Sequence, residues 1–200
     1  EHSRDIEPMR GGHGDNYYYQ MIANIRRFKG VPSVVQEPAM PVKKMKVDGV
    51  FEGWQSVKGY QATRGNTLHR DSKGWGDLVY QNKSGRNDIV DVRVAHDKKN
   101  IYFYVACAEP ITPSTDRSWM RLYIDIDRKR ESGWEGYDFV LNRIAPSAEE
   151  IVIERATSGA TWQRAGKVAY SVSENYMELA IPLELIGLTS EVAFELEFKW

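Results

Sequence analysis

The sequence predicts an all-β fold, an antiparallel β-sandwich of jelly-roll-like form, preceded by an N-terminal helix and an extended linker. Three observations carry this. Apolar and polar residues alternate at period two in a succession of short segments. Polar, glycine-bearing turns separate those segments at regular intervals. The stretch WMRLYIDIDRKRESGWEGYDFVLNR, from Trp119 to Arg143, then shows both features at once. Leu122, Ile124 and Ile126 alternate with Tyr123, Asp125 and Asp127; Tyr137, Phe139 and Leu141 alternate with Asp138, Val140 and Asn142. Between them, Arg128 to Gly136 carries charge and two glycines, as a turn should. We expect a half-buried hairpin here, at the centre of the core, with carboxylates gathered near its turn.

In chain order, residues 1–46 differ from the rest. RDIEPMRGGHGDN is polar and glycine-rich. Tyr18, Ile22, Ile25 and Phe28 then recur at helical spacing, with Asp15 or Asn16 placed to cap the helix and Gly30 to end it. VPSVVQEPAMPVKKMK follows as an extended linker. A lone helix of this length is marginal in water, so it must pack on something, and an upstream domain is the natural partner. From Val47 to Trp200 the pattern is β throughout. VDGVFEGWQSVKGY opens with an Asp-Gly turn. Residues 61–87 are polar and glycine-dotted, broken by GDLVYQ. DIVDVRVAHD and NIYFYVACAE form a hairpin, followed by EEIVIERAT, a strand around Trp162, KVAYSVSEN and YMELAIP. LELIGLTS predicts a short helical turn and VAFELEFKW the last strand. The chain opens on Glu1 without a signal peptide, so we expect a mature product or a piece of a longer protein.

Composition narrows the function. Two hundred residues, 42% of them hydrophobic, suffice for a full core. A net charge of −1 gives no electrostatic case for nucleic acid or an acidic membrane surface. No apolar run approaches the ~20 residues that a bilayer crossing needs. The single Cys107 excludes an internal disulfide and a cysteine-based zinc site, and its setting, IYFYVACA, predicts a buried small apolar residue. His2, His13, His69 and His96 lack metal-binding spacing. Gly-x-Ser-x-Gly, P-loop and dinucleotide signatures are absent from the sequence. The 11 tyrosines and 6 tryptophans are the compositional signal, a stock on which sugar-binding surfaces draw.

Four segments then fall in a telling order: VDGVFEGW, VRVAHDKKNIYFYVAC, WMRLYIDIDRKRESGWEGYDF and YMELAIPLELIGL. Together, over about residues 47–200, they resemble the family 9 carbohydrate-binding modules and their DOMON-like relatives. The resemblance implies a non-catalytic sandwich that binds an oligo- or polysaccharide and is attached to a glycan-degrading enzyme, secreted, periplasmic or on the cell surface. In the leader, SRDIEPMRGGHGDNYYYQM resembles the last segment of glycosidase barrels related to glycoside hydrolase family 99, which implies an upstream catalytic domain. The competing expectations are an accessory sandwich that packs on the catalytic domain without binding sugar, and a DOMON-like redox domain, which needs an axial His or Met in an apolar pocket.

The candidate site residues fall in three groups. Trp75, between glycines in HRDSKGWGDLVY, is an expected exposed platform for the C–H face of a sugar, with His69, Arg70, Asp71, Asp77 and Tyr80 at hand for hydroxyls. Trp162 is a second platform. Arg86, in the turn SGRNDI, offers a planar donor fork to sugar hydroxyls, or pairs with an acid such as Asp91. Asp125, Asp127 and Asp138 are candidate calcium ligands, with ~7 Å between the first two Cβ atoms if both lie on one strand face. An EF-hand is excluded, since Lys129 stands at a ligand position and Gly136 is twelfth from Asp125. The same carboxylates could serve as a glycosidase acid and base, but no cleft-forming repeat surrounds them; arginine pairing is their plainer role. Trp54, Trp119 and Trp134 are expected in core or hairpin packing.

Overall fold

The computed structural model describes residues 21–22, 24–26, 28–31, 40–62, 64–65, 67, 70–73, 76–77, 79–116, 118–157 and 160–200. Eleven strands lie among them: β1 Tyr60–Gln61, β2 Arg70–Lys73, β3 Val79–Asn82, β4 Ile89–His96, β5 Asn100–Cys107, β6 Leu122–Asp125, β7 Phe139–Leu141, β8 Glu150–Ala156, β9 Trp162–Ser173, β10 Tyr176–Pro182 and β11 Glu197–Lys199. Nine form one antiparallel sheet in the order β1-β4-β5-β10-β9-β8-β7-β6-β11, while β2 and β3 pair only with each other. The class is therefore all-β and antiparallel.

The sheet curls so that its ends approach. Phe198 on β11 meets Phe103 on β5 at 5.4 Å and Tyr60 on β1 at 5.7 Å between ring centroids. Long β9 helps to make the curl. Its register with β8 passes from Ile153↔Gly166 to Glu154↔Arg164, leaving Ala165 as an extra residue. Such a bulge bends its strand and increases the local twist. The inner face then encloses Ile101, Phe103, Leu122, Ile124, Phe139, Leu141, Ile151, Ile153, Leu179 and Ile181, all nearly or fully buried. Each such side chain stabilises the fold by roughly 1.5–3 kcal/mol.

β5 is buried on both faces. Ile101, Phe103, Val105 and Cys107 line the inner core; Tyr102, Tyr104 and Ala106 point outward against Met45, Trp54 and Val57. This outer cover belongs to a segment expected to be β. Phe51–Ser56 is instead a 3₁₀ turn, held by one buried carboxylate. Glu178 on β10 accepts the backbone N–H groups of Asp48 and Gly49 through Oε1, both at 2.9 Å, and the Trp54 indole N–H through Oε2 at 2.9 Å. VDGVFEGW, grouped with the β pattern that follows it, is instead drawn into a turn on which three donors converge at Glu178.

The β4–β5 hairpin matches its expected limits: Asp97 Oδ1 closes the turn by accepting the N–H groups of Lys99 and Asn100, both at 2.8 Å. The β6–β7 hairpin forms, but its strands are shorter than expected and lie next to the sheet edge; β9 occupies the middle position. The last strand shrinks to Glu197–Lys199, and the expected turn at LELIGLTS is the 3₁₀ turn Leu183–Ile186. Of the expected N-terminal helix, residues 21–22, 24–26 and 28 have helical backbone and Lys29 lies in a turn, while 16–20, 23 and 27 lie outside the described residues. Half of the linker, 32–39, also lies outside them, but its end packs on the sheet: Lys43 N–H donates to the His96 carbonyl at 2.7 Å, and Met45 is buried.

Two outcomes are expected. Glu178→Gln offers its oxygen to only one of two donor sets and turns an N–H group toward the other. It should cost about 2 kcal/mol in urea denaturation, whereas an unchanged midpoint would remove Glu178 as the anchor of this segment. Burial, and then the charge of Asp88, push the Cys107 thiol up to about 12. At neutral pH a thiol reagent should leave the folded protein unlabelled and modify one thiol per chain in denaturant.

Candidate ligand-binding face

The register places a second set of residues on the outer face of β6 to β9. Tyr123 opposes Val140, Val140 opposes Glu154, and Glu154 opposes Arg164. Side chains two residues along a strand share a face. A parallel row on this face therefore holds Asp125, Asp138, Ala156 and Trp162. The β6–β7 loop adds Trp134 and Tyr137.

That loop has a defined geometry. Trp134 and Tyr137 exchange backbone hydrogen bonds at 2.8 and 2.9 Å, with φ of 54° at Glu135 and 91° at Gly136. Two positive φ values describe a tight type I′ turn. A Cβ at Gly133 would stand 2.1 Å from the Tyr137 carbonyl oxygen, so only glycine allows this closure. The loop thereby sets its rings against the sheet. Tyr123 lies 5.4 Å from Trp134 and 5.4 Å from Tyr137, while Trp162 lies 6.1 Å from Trp134 and 6.3 Å from Tyr123. All four rings are partly exposed, unlike Trp54 and Trp119, which are buried. Trp134, expected in core or hairpin packing, packs on its hairpin against Tyr123 and is at the same time a member of this surface cluster. The signal that finds it is the Gly133-Trp134-Glu135-Gly136 sequence, in which two glycines flank a ring at a turn tip.

Beside the rings sits a buried charge. Glu154 is only 2% exposed, although it is on the outer face, and Arg143 covers it with a two-pronged contact, Nε to Oε2 at 2.8 Å and Nη2 to Oε1 at 2.5 Å. Burial, followed by the Glu197 and Asp125 charges, pushes the Tyr137 phenol up, so it remains a hydroxyl donor at neutral pH.

Asp125, Asp127 and Asp138 are brought together as expected: one carboxylate oxygen of each lies within 4.8 Å of the others. Asp127, however, stands beyond the end of β6, so the first two do not share a strand face. Asp125 Oδ1 accepts the N–H groups of Asp127 and Arg128, Asp127 Oδ1 those of Lys129 and the Ser132 hydroxyl, and Asp138 Oδ2 that of Ile126. The other oxygen of each carboxylate accepts no hydrogen bond among the described residues, and oxygens of this kind are what a hard cation takes. Arg128 turns away, to Glu195 and Glu197. The Lys129 N–H and Ser132 hydroxyl hold Asp127 below the usual carboxylate range, whereas burial and then the neighbouring carboxylates push Asp138 up.

Arg86 pairs with Asp116 at 3.3 Å, not with Asp91, whose Oδ2 accepts from Arg93 at 2.7 Å. Arg70 and Tyr80 belong to the separate β2–β3 ribbon, opposite Asn82 and Ser72, and their side chains lie outside the description. Trp75 and His69 lie outside the described residues. A surface concavity lined by Lys98, Asn100, Pro182, Glu184 and Thr189 shares no residue with the aromatic cluster. No family model, curated protein or solved structure matches the chain.

A carboxyl whose pKa is higher folded than unfolded favours folding only while it is protonated; once ionised, it opposes folding. Asp138→Asn keeps an acceptor for Ile126 and removes that charge. It should raise the melting temperature at neutral pH in chelator, and the gain should vanish on acidification through the raised pKa. A variant less stable at neutral pH would show that the three carboxylates do not repel one another there.

Proposed function

We propose that this chain is a non-catalytic carbohydrate-binding module whose binding face is the Tyr123–Trp134–Tyr137–Trp162 cluster. One observation carries the reading: four partly exposed rings gathered on one sheet face by a glycine-closed loop. Flat aromatic surface complements the C–H face of a pyranose, and flanking polar groups orient its hydroxyls. Arg143, held by buried Glu154, and the Tyr137 hydroxyl supply such groups. The curled sheet supports a family 9-like, DOMON-like β-sandwich in which the halves around Phe103 and Phe198 are the two layers. On this reading the module serves an upstream glycan-degrading domain of the same protein, in a secreted, periplasmic or surface setting. The donor set of Asp125, Asp127 and Asp138 fits calcium, which would tie the base of the Trp134 loop to β6.

Tryptophan fluorescence during titration with a panel of soluble oligosaccharides tests the proposal. A saturable shift is expected, weakened about tenfold or more by Trp162→Ala and by Trp134→Ala, a change of about 1.4 kcal/mol or more. Loss of stability on EDTA treatment would support calcium. A flat response to every glycan would sink the reading and leave the accessory structural role.

A further inference from the structure

Resting on the sugar-binding reading, we infer that the preferred ligand is an anionic glycan, whose carboxylate or sulfate groups are held by Arg164 beside the Trp162 ring and by Arg121 beside Tyr123. The register carries this. Arg164 stands two residues from Trp162 on the same face of β9, ~7 Å along the strand, about the breadth of one sugar ring. Lys199 on β11 is the cross-strand neighbour of Tyr123. Arg121 precedes β6 by one residue and, by alternation, shares the face of Tyr123. Its guanidinium is half-buried, and its Nε is buried without a hydrogen-bond partner. Such a donor is costly unless a ligand satisfies it.

Charge on this part of the face is one-sided. Along the row that runs from Lys199 through Tyr123 and Val140 to Arg164, with Arg121 beside it, the one carboxylate is Glu154, which Arg143 already engages through two of its nitrogens. No ion pair reaches Lys199, Arg121 or Arg164 among the described residues. The neighbouring row is acidic, with Asp125 and Asp138, so the field changes sign across Tyr123. A glycan carrying a charged group on one side of its ring would be oriented by this reversal, with its anion over the arginines and its hydroxyl edge toward the carboxylates. Guanidinium forks suit planar carboxylate and tetrahedral sulfate alike.

The test compares three probes of equal length on the full chain by tryptophan fluorescence: an oligogalacturonate, a sulfated galactan oligosaccharide and a neutral galacto-oligosaccharide. At low salt at least one anionic probe should bind ten-fold or more tighter than the neutral one, and the better of the two identifies carboxylate or sulfate. The advantage should shrink as salt is added. Arg164→Gln, on the exposed side of β9, and Arg121→Gln should each remove about tenfold from anionic binding and leave neutral binding unchanged; thermal melts confirm folding. Neutral binding equal to anionic, or anionic binding indifferent to Arg164→Gln, overturns this inference alone. Absence of binding by all three probes overturns the sugar-binding reading and this inference with it.

Discussion

Closure of the curled sheet is the constraint on which the rest depends. A nine-stranded sheet has a single inner face to bury, and here it buries that face against itself. Phe198 comes from the short last strand, yet it contacts rings on β5 and β1, from the other end of the strand order. The Ala165 bulge in β9 gives the sheet a place to bend. Once the inner face is closed, whatever the outer face carries is left for other uses.

The inner face was legible in the sequence. Period-two alternation in β4, β5 and the β6–β7 hairpin assigned Val94, Phe103, Ile124 and Phe139 to the core, because a strand half-buried on one side imposes that pattern on its residues. Trp54 and Trp119 were placed by their setting beside apolar strand residues, and both are buried. The 3₁₀ turn at Phe51–Ser56 was not legible, since its cause is Glu178, about 130 residues away in sequence. The β pattern of the rest of the chain was extended over that stretch, although Val50, Phe51 and Trp54 do not alternate.

The candidate site was legible only in part. Asp125, Asp127 and Asp138 are close in sequence across one hairpin, and local pattern brought them together. Trp162 could be named because it follows a glycine-bearing turn. Its meeting with Tyr123 and Trp134 could not be read, even though two glycines mark Trp134 at a turn tip, since it depends on the β6–β7–β8–β9 register, and a register shift of one residue would send each strand's side chains to the opposite face. Glu154 was hidden for a related reason. In EEIVIERAT it looks like an exposed polar residue after the buried Ile151 and Ile153, and only Arg143 from the loop after β7 makes its burial tolerable.

The two halves of the outer face then show why the rings matter. On β5 the outer rings of Tyr102 and Tyr104 are covered by the chain itself, while Tyr176 at the start of β10 stays exposed. Trp54 stacks on Tyr104 at 5.4 Å, and one buried carboxylate, Glu178, ties the covering segment down. On β6 to β9 there is also a buried carboxylate, Glu154, but its partner is a single arginine, and the neighbouring rings remain partly exposed. Exposing aromatic surface sacrifices hydrophobic stabilisation of roughly 25 cal/mol per Å² that burial would give. The same fold covers most of one such surface and leaves the rings of the other partly open, with a glycine-closed loop fixing their geometry. That asymmetry is what a preformed ligand platform requires: rings already held in place, so that binding orders little and the apolar contact is realised when the ligand arrives.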